Sequence, residues 1–173
     1  TACPAGYCDA SGETCDEFIA SVEFGTINNT SDCADGTLAD FTAISTTVTQ
    51  GSVVAMTVLN CPNVYAEDQV VAWIDWNQNE NFFDAGESYT LTSADGGATF
   101  TGNIAVPVDA TLGSTRLRIR MLYTGTPNPC GLSAYGEVED YTVTVEAGGA
   151  TPVNDDCTGA VPEALAAVST NTH

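Results

Sequence analysis

Alternation with a period of two constrains this chain more than any other feature. In 115–121 apolar Leu117, Ile119 and Met121 fall on one side of an extended backbone, and Arg116, Arg118 and Arg120 on the other. Toward the end of the same region Tyr141, Val143 and Val145 alternate with Thr142 and Thr144. Segments rich in Val, Ile, Thr, Phe and Tyr recur at 18–24, 38–48, 53–60, 69–75, 88–91 and 99–106, ahead of those at 115–123 and 139–146. Turn-forming residues separate them, among them Asn28-Asn29, Gln50-Gly51, Asp95-Gly96-Gly97 and Leu112-Gly113. No 3.6-residue apolar period persists before residue 150. The pattern predicts an all-β fold of about eight strands, a jelly-roll-like β-sandwich stapled by disulfides.

The staples are read from seven cysteines in 173 residues. Zinc is a poor account of them, since no paired Cys-x-x-Cys spacing occurs and the one histidine is His173. Disulfides in an oxidising compartment fit better, so the chain is expected to be secreted, extracellular or at the cell surface. Cys61 is expected to pair with Cys130, because Cys61-Pro62 and Pro129-Cys130 both read as loops ending adjacent strands. Cys3, Cys8, Cys15 and Cys33 would then pair among themselves, most simply with one of the first three reaching Cys33. Connectivity cannot be deduced from spacing alone. Cys157 is expected to find its partner beyond residue 173.

Charge narrows the partners. Twenty-three acidic residues face three arginines and no lysine, a net charge of −20. Nucleic acid and anionic membranes reward clustered cations, so neither is an expected partner. No apolar run reaches the roughly 18–20 residues of a membrane span, so direct membrane insertion is not expected either. The acidity suits a soluble, self-repelling surface, and part of it reads as metal-ligand carboxylate. Residues 1–146 read as one domain, 147–153 as a linker, and 154–173 as the truncated start of a following module. Other domains of the same polypeptide are therefore expected partners, beside an extracellular polysaccharide or a like subunit.

The most specific chemistry follows the apolar strand ending at Asp75. Oxygen-bearing side chains recur at every second position, Asp75, Asn77, Asn79 and Asn81, and Asp84 and Glu87 close the segment. A tight loop with this spacing turns successive oxygens toward a hard cation, as in the opening of an EF-hand loop, although no helices flank it here. Oxygen donors without thiolate or imidazole select Ca2+ over a transition metal. The six residues form the expected calcium set, the plain alternative being a polar turn with solvated side chains.

Gly136-Glu137-Val138-Glu139-Asp140-Tyr141-Thr142 is a recognisable signature. With Trp73-Ile74-Asp75-Trp76-Asn77, Phe83-Asp84-Ala85-Gly86-Glu87, Arg116-Leu117-Arg118 and Pro129-Cys130-Gly131, it makes residues 7–146 resemble the GEVED domain family. The resemblance implies a β-sandwich module of secreted bacterial proteins, found beside proteases, glycoside hydrolases or adhesive repeats, with no catalytic residues. Asn79 and Asn81 stand where that family often has Asp, which lowers the loop's charge.

An enzyme is not expected, since nucleophilic catalysis lacks a base when the lone histidine is terminal. Two readings remain. One is a structural or adhesive calcium module. The other is a carbohydrate-binding module, with Trp76, Phe82 and Tyr135 as ligand-binding rings and Tyr65 and Tyr123 nearby. In that reading Trp76 points away from the metal toward solvent or a partner; the plain alternative is that Trp73 and Phe83 are core and the other rings merely half buried. The arginine face is expected to pair with the Glu137–Asp140 carboxylates, which could otherwise reach the calcium loop.

Overall fold

Extended segments appear where the alternation places them. The structure, a computed structural model, describes residues 6–14 and 16–149. Its strands are β1 (Ala10–Gly12), β2 (Glu17–Phe24), β3 (Ile27–Thr30), β4 (Leu38–Thr49), β5 (Val53–Pro62), β6 (Gln69–Ile74), β7 (Ser88–Ser93), β8 (Thr99–Ala105), β9 (Gly113–Leu122), β10 (Gly131–Ser133) and β11 (Glu137–Glu146). All eight expected strands are present within about two residues of their read boundaries, and β1, β3 and β10 are additions. Each of those three has four residues or fewer, too short to show a period. A 3-10 turn at Cys33–Asp35 is the one helical element among the described residues.

Nine strands form a continuous sheet in the order β3-β2-β5-β8-β7-β6-β9-β11-β4. β7 is where it bends. Ser88–Leu91 pair with β6, whereas Thr92 and Ser93 pair with β8. The two halves fold face to face and nearly close, so that the Asn29 amide beside β2 donates 3.0 Å to the Tyr141 hydroxyl on β11. The expected all-β, disulfide-stapled architecture holds. The strand order has a feature foreign to an antiparallel jelly roll, since β4 and β11 pair in parallel along the far edge.

The core lies between the halves. Ile19, Val22 and Phe24 of β2 and Met56 and Val58 of β5 meet Leu117, Ile119 and Met121 of β9 and Tyr141 and Val143 of β11, each at most 1% exposed. Fully burying side chains of this size stabilises by roughly 1.5–3 kcal/mol apiece.

A second layer covers the outer face of β6, β9 and β11, which are buried on both sides along most of their length. β1 and β10 form a parallel ribbon across it, with Ala10 opposite Gly131 and the Gly131 N–H donating to the Asp9 carbonyl at 2.7 Å. That register brings Cys8 beside Cys130, and the two are disulfide-bonded with Cα atoms 5.5 Å apart. The Cys61–Cys130 pairing read from the prolines is thereby corrected. Cys61 lies on β5 opposite Phe18 and is an exposed free thiol, whereas Cys130 is drawn to the N-terminal segment by the ribbon. Cys33 is itself disulfide-bonded. Cys3, Cys15, Cys157 and the expected following module lie outside the described residues.

The Cys8–Cys130 bond closes a span of 122 residues, so its removal should cost ~2–5 kcal/mol. Cys8→Ser is expected to lower the urea midpoint accordingly, while Cys61→Ser leaves it within ~0.5 kcal/mol. Peptide mapping without reduction should recover a Cys8–Cys130 peptide.

Candidate functional site

The loop leaving β6 is wound on its own side chains. Asp75, fully buried, keeps its backbone on the sheet, its N–H donating to the Arg116 carbonyl at 3.2 Å and its carbonyl accepting from the Thr115 hydroxyl. Its carboxylate accepts from the Tyr7 hydroxyl at 2.8 Å and from the N–H groups of Asn79 and Glu80 at 3.1 and 2.9 Å. Those N–H groups converge because Gln78 and Glu80 take positive φ, 59° and 64°, as in the anion-cradling nests of backbone amides. Beyond them each oxygen caps the N–H two residues on, Asn77 to Asn79, Asn79 to Asn81 and Asn81 to Phe83, at 3.0–3.2 Å. The every-second-residue spacing therefore has one demonstrable use, a ladder of Asx turns. Tyr7 was not legible as a partner, being 68 residues from Asp75 with no local pattern to mark it.

Three members of the expected calcium set meet at one place. Asn77, Asp84 and Glu87 line a cavity of about 200 Å3 together with Asp109, which the sequence reading did not single out. Asp84 Oδ2 accepts from the amides of Asn77 and Asn79 at 2.9 and 2.7 Å, which draws its carboxyl below the usual range. Glu87 is 2% exposed. One of its oxygens accepts from the Trp76 N–H at 3.0 Å, and the other is buried without a hydrogen-bond partner. Burial, reinforced by the Asp75 charge, pushes its carboxyl up. Asp75, Asn79 and Asn81 do not line this cavity. Among the described residues no three His, Cys, Asp or Glu side chains form a ready-made metal cluster. The donor set is nonetheless all oxygen, and the orphaned Glu87 oxygen is the kind of atom a hard cation satisfies.

The expected ligand rings are placed differently. Trp76 is 4% exposed and belongs to the main core, its Nε1–H donating to the Tyr89 hydroxyl at 2.9 Å. Pro107, Asp109 and Ala110 line the cavity beside it. Phe82 is 2% exposed, stacked on Tyr7 at 4.9 Å and packed with Val71 and Trp73 beneath the Arg118 guanidinium. Neither ring can stack on a ligand. Trp73 is core as expected, but Phe83 is 63% exposed. Tyr135 stays half exposed and joins Tyr123 and Tyr65 in an edge-to-face row with ring centroids 6.3 and 5.2 Å apart. With Asp16 and Glu17 these rings line an open cavity of about 250 Å3.

β11 sorts the signature carboxylates by side. Asp140 lies opposite Arg118 in the antiparallel ladder and faces the outer layer. It takes Arg118 in a fork, Nε to Oδ1 at 2.7 Å and Nη2 to Oδ2 at 2.8 Å, and Arg116 at 2.6 Å. Arg118 also donates to the carbonyls of Cys8 and Pro129 at 2.7 and 2.8 Å. Arg120 lies opposite Val138, so no carboxylate faces it, and it holds the carbonyls of Ser11, Asn128, Cys130 and Gly131. Glu137 and Glu139 point the other way, into the core. Glu137 accepts from the Ile19 N–H at 2.9 Å, where β2 slips register, and Glu139 accepts from the hydroxyls of Ser31 and Tyr141. Burial first, and then neighbouring carboxylates, pushes Glu137 up to about 8 and Glu139 up to about 7. Gly136 turns into the strand at φ 93°, where a Cβ would sit 2.0 Å from the Met121 carbonyl, so no other residue fits.

The family model of the GEVED domain matches residues 69–144, from the start of β6 almost to the end of β11. Over that stretch the resemblance to the GEVED domain carried by the signature holds. The N-terminal layer and β2–β5 lie outside the matched span. No curated protein matches the chain. Among solved structures it is similar to a two-domain protein of unknown function from Bacteroides fragilis, at 12% identity and a TM-score of 0.29, over 73% of this chain and 46% of that one. The chain thus spans less than half the length of that protein.

Asp140→Ala should cost ~3–5 kcal/mol in chemical unfolding, because it strands Arg118, itself 2% exposed, without its anion. Glu137 and Glu139 bind protons more tightly folded than unfolded. Their contribution to stability is therefore full below the ordinary carboxyl value of 4.5 and is lost as pH rises through about 7 to 8. In chelator, stability should fall by a few kcal/mol, roughly, between pH 5 and 8.5, and Glu137→Gln should flatten that slope in urea titrations.

Proposed function

We propose that this chain is a non-catalytic calcium-binding module serving a structural or adhesive role in a larger secreted or cell-surface protein. The observation that carries the reading is the Glu87 oxygen, buried without a partner in a cavity whose other polar lining is Asn77, Asp84 and Asp109. Glu87, Asp84, Asn77 and Asp109 would hold the ion. It would supply the positive charge that the loop lacks, since all three arginines of the chain lie on β9. The Asx ladder then sets Asn77 and Asp84 beforehand, which lowers the ordering cost of binding. The Cys8–Cys130 bond supports an oxidising, extracellular setting. Other domains of the same polypeptide, or a like subunit, are the partners this reading implies.

A specific observation favours carbohydrate binding as a second reading. Tyr65, Tyr123 and Tyr135 form an accessible aromatic row beside the exposed Asp16 carboxylate, the pairing of ring faces and acceptor that suits a sugar.

Calcium at 100 to 1,000 times its dissociation constant should stabilise the chelator-stripped protein by ~3–4 kcal/mol. Glu87→Gln should lose the loop's part of that increment. A melting temperature indifferent to calcium and chelator would defeat the calcium reading. Affinity electrophoresis against a polysaccharide panel decides the second one. Retardation that Tyr135→Ala abolishes supports it, and free migration throughout leaves the structural role.

A further inference from the structure

A second group of orphaned oxygens lies where β2, β5 and the turn before β6 meet. Glu17 Oε1, Asn60 Oδ1 and Asp68 Oδ1 are all buried without hydrogen-bond partners, in residues 1%, 7% and 6% exposed. They belong to one cluster. The Asn60 amide donates to Asp68 Oδ2 at 2.6 Å and to the Gly97 carbonyl at 3.1 Å, and the Tyr65 N–H donates to Asp68 Oδ2 at 2.9 Å. Two acceptors on its nitrogen fix which way the Asn60 amide points, leaving Oδ1 on the opposite side. In the β2–β5 ladder Glu17 faces Pro62 and Ile19 faces Asn60, so Glu17 and Asn60 project from the same face of the sheet.

Nothing in the described protein answers these atoms. The chain has no lysine, and its three arginines lie on β9, held by Asp140 and by loop carbonyls. Burial raises both Glu17 and Asp68, and for Glu17 the Asp68 charge adds to it. One shared proton answers a single oxygen, and one water has two hydrogens for three acceptors. Two buried carboxylates, each with one oxygen left unanswered, are costly to keep charged without a cation. A hard divalent cation satisfies all three oxygens at once, and two carboxylates with an amide carbonyl are the donors calcium takes.

We propose that Glu17, Asn60 and Asp68 form a second, buried calcium site, separate from the 75–87 loop and set beneath the tyrosine-lined cavity. It stands independently of the loop reading. Occupancy bears on the surface above. Glu17 lines the cavity of Tyr65, Tyr123 and Tyr135, and Asp68 holds the Tyr65 backbone. Gly97 clamps the same turn, since a Cβ there would lie 2.0 Å from the Tyr65 carbonyl.

The experiment is calcium stoichiometry by isothermal titration on the disulfide-intact, chelator-stripped protein, with Glu17→Gln, Asp68→Asn and Glu87→Gln alongside. Two ions per chain are expected, falling to one in Glu17→Gln or Asp68→Asn. If a single ion binds and Glu17→Gln leaves it in place, the second site is overturned and the loop site stands. If a single ion binds and Glu87→Gln leaves it while Glu17→Gln removes it, the second site stands and the loop reading falls. No binding overturns both. Should the Glu17 and Asp68 variants not fold, carboxyl carbon shifts of Glu17 and Asp68 in the unmutated protein serve instead. Shifts that move to saturation with added calcium support the site, and shifts indifferent to it overturn it.

Discussion

The Arg118–Asp140 pair, lodged between the main sheet and the layer above it, is the contact on which the outer half of the molecule depends. A guanidinium buried to 2% exposure is tolerable only when its donors are answered, and this one meets a carboxylate fork and two backbone carbonyls. Those carbonyls belong to Cys8 and Pro129, so the ion pair and the disulfide beside it tie the same two segments to β9 and β11. Arg120 extends the arrangement to the β1–β10 ribbon through carbonyls alone. The N-terminal layer adds few apolar side chains, and fixed donors aimed at its backbone hold it instead. Tyr7, carried in by that layer, then reaches Asp75 and Phe82, which links the anchored segment to the loop.

The opposite side of β11 performs a different task with the same residue type. Glu137 and Glu139 reach across the core to β2 and to Ser31 just past β3, and a slipped register in β2 frees the Ile19 N–H for a side-chain acceptor. They join the two halves of the bent sheet by hydrogen bonds, and burial, against the pull of those bonds, pushes both carboxyls up. The signature is thus a structural device at every position: a glycine where only glycine fits, two inward acids that brace the halves, and one outward acid that anchors arginine.

Much of this was legible in the sequence. Period-two alternation placed the eight longer strands, because one buried face imposes that period wherever a strand is long enough to show it. The 75–87 loop was legible as an oxygen-rich turn, since Asx chemistry acts over two residues and leaves a local pattern. The alternation around Arg118 made its face legible and left its burial open. An outward face is solvated unless another segment covers it, and here the cover comes from 110 residues away in sequence.

Sequence by itself determined the all-β class, the strand positions, the oxygen-rich winding of the loop and the signature at 136–142, all properties set by neighbours a few residues apart. Tertiary structure alone decided which cysteine meets Cys130, whether Trp76 and Phe82 face water or core, and which acids converge. Those outcomes depend on register and on layers stacked across the sheet. Cys8 meets Cys130 because a three-residue ribbon aligns them, and Glu17 meets Asp68 because two strands and a turn end at one corner. Residues 122 and 51 positions apart leave no periodicity to read, so only the closed sheet could bring them together.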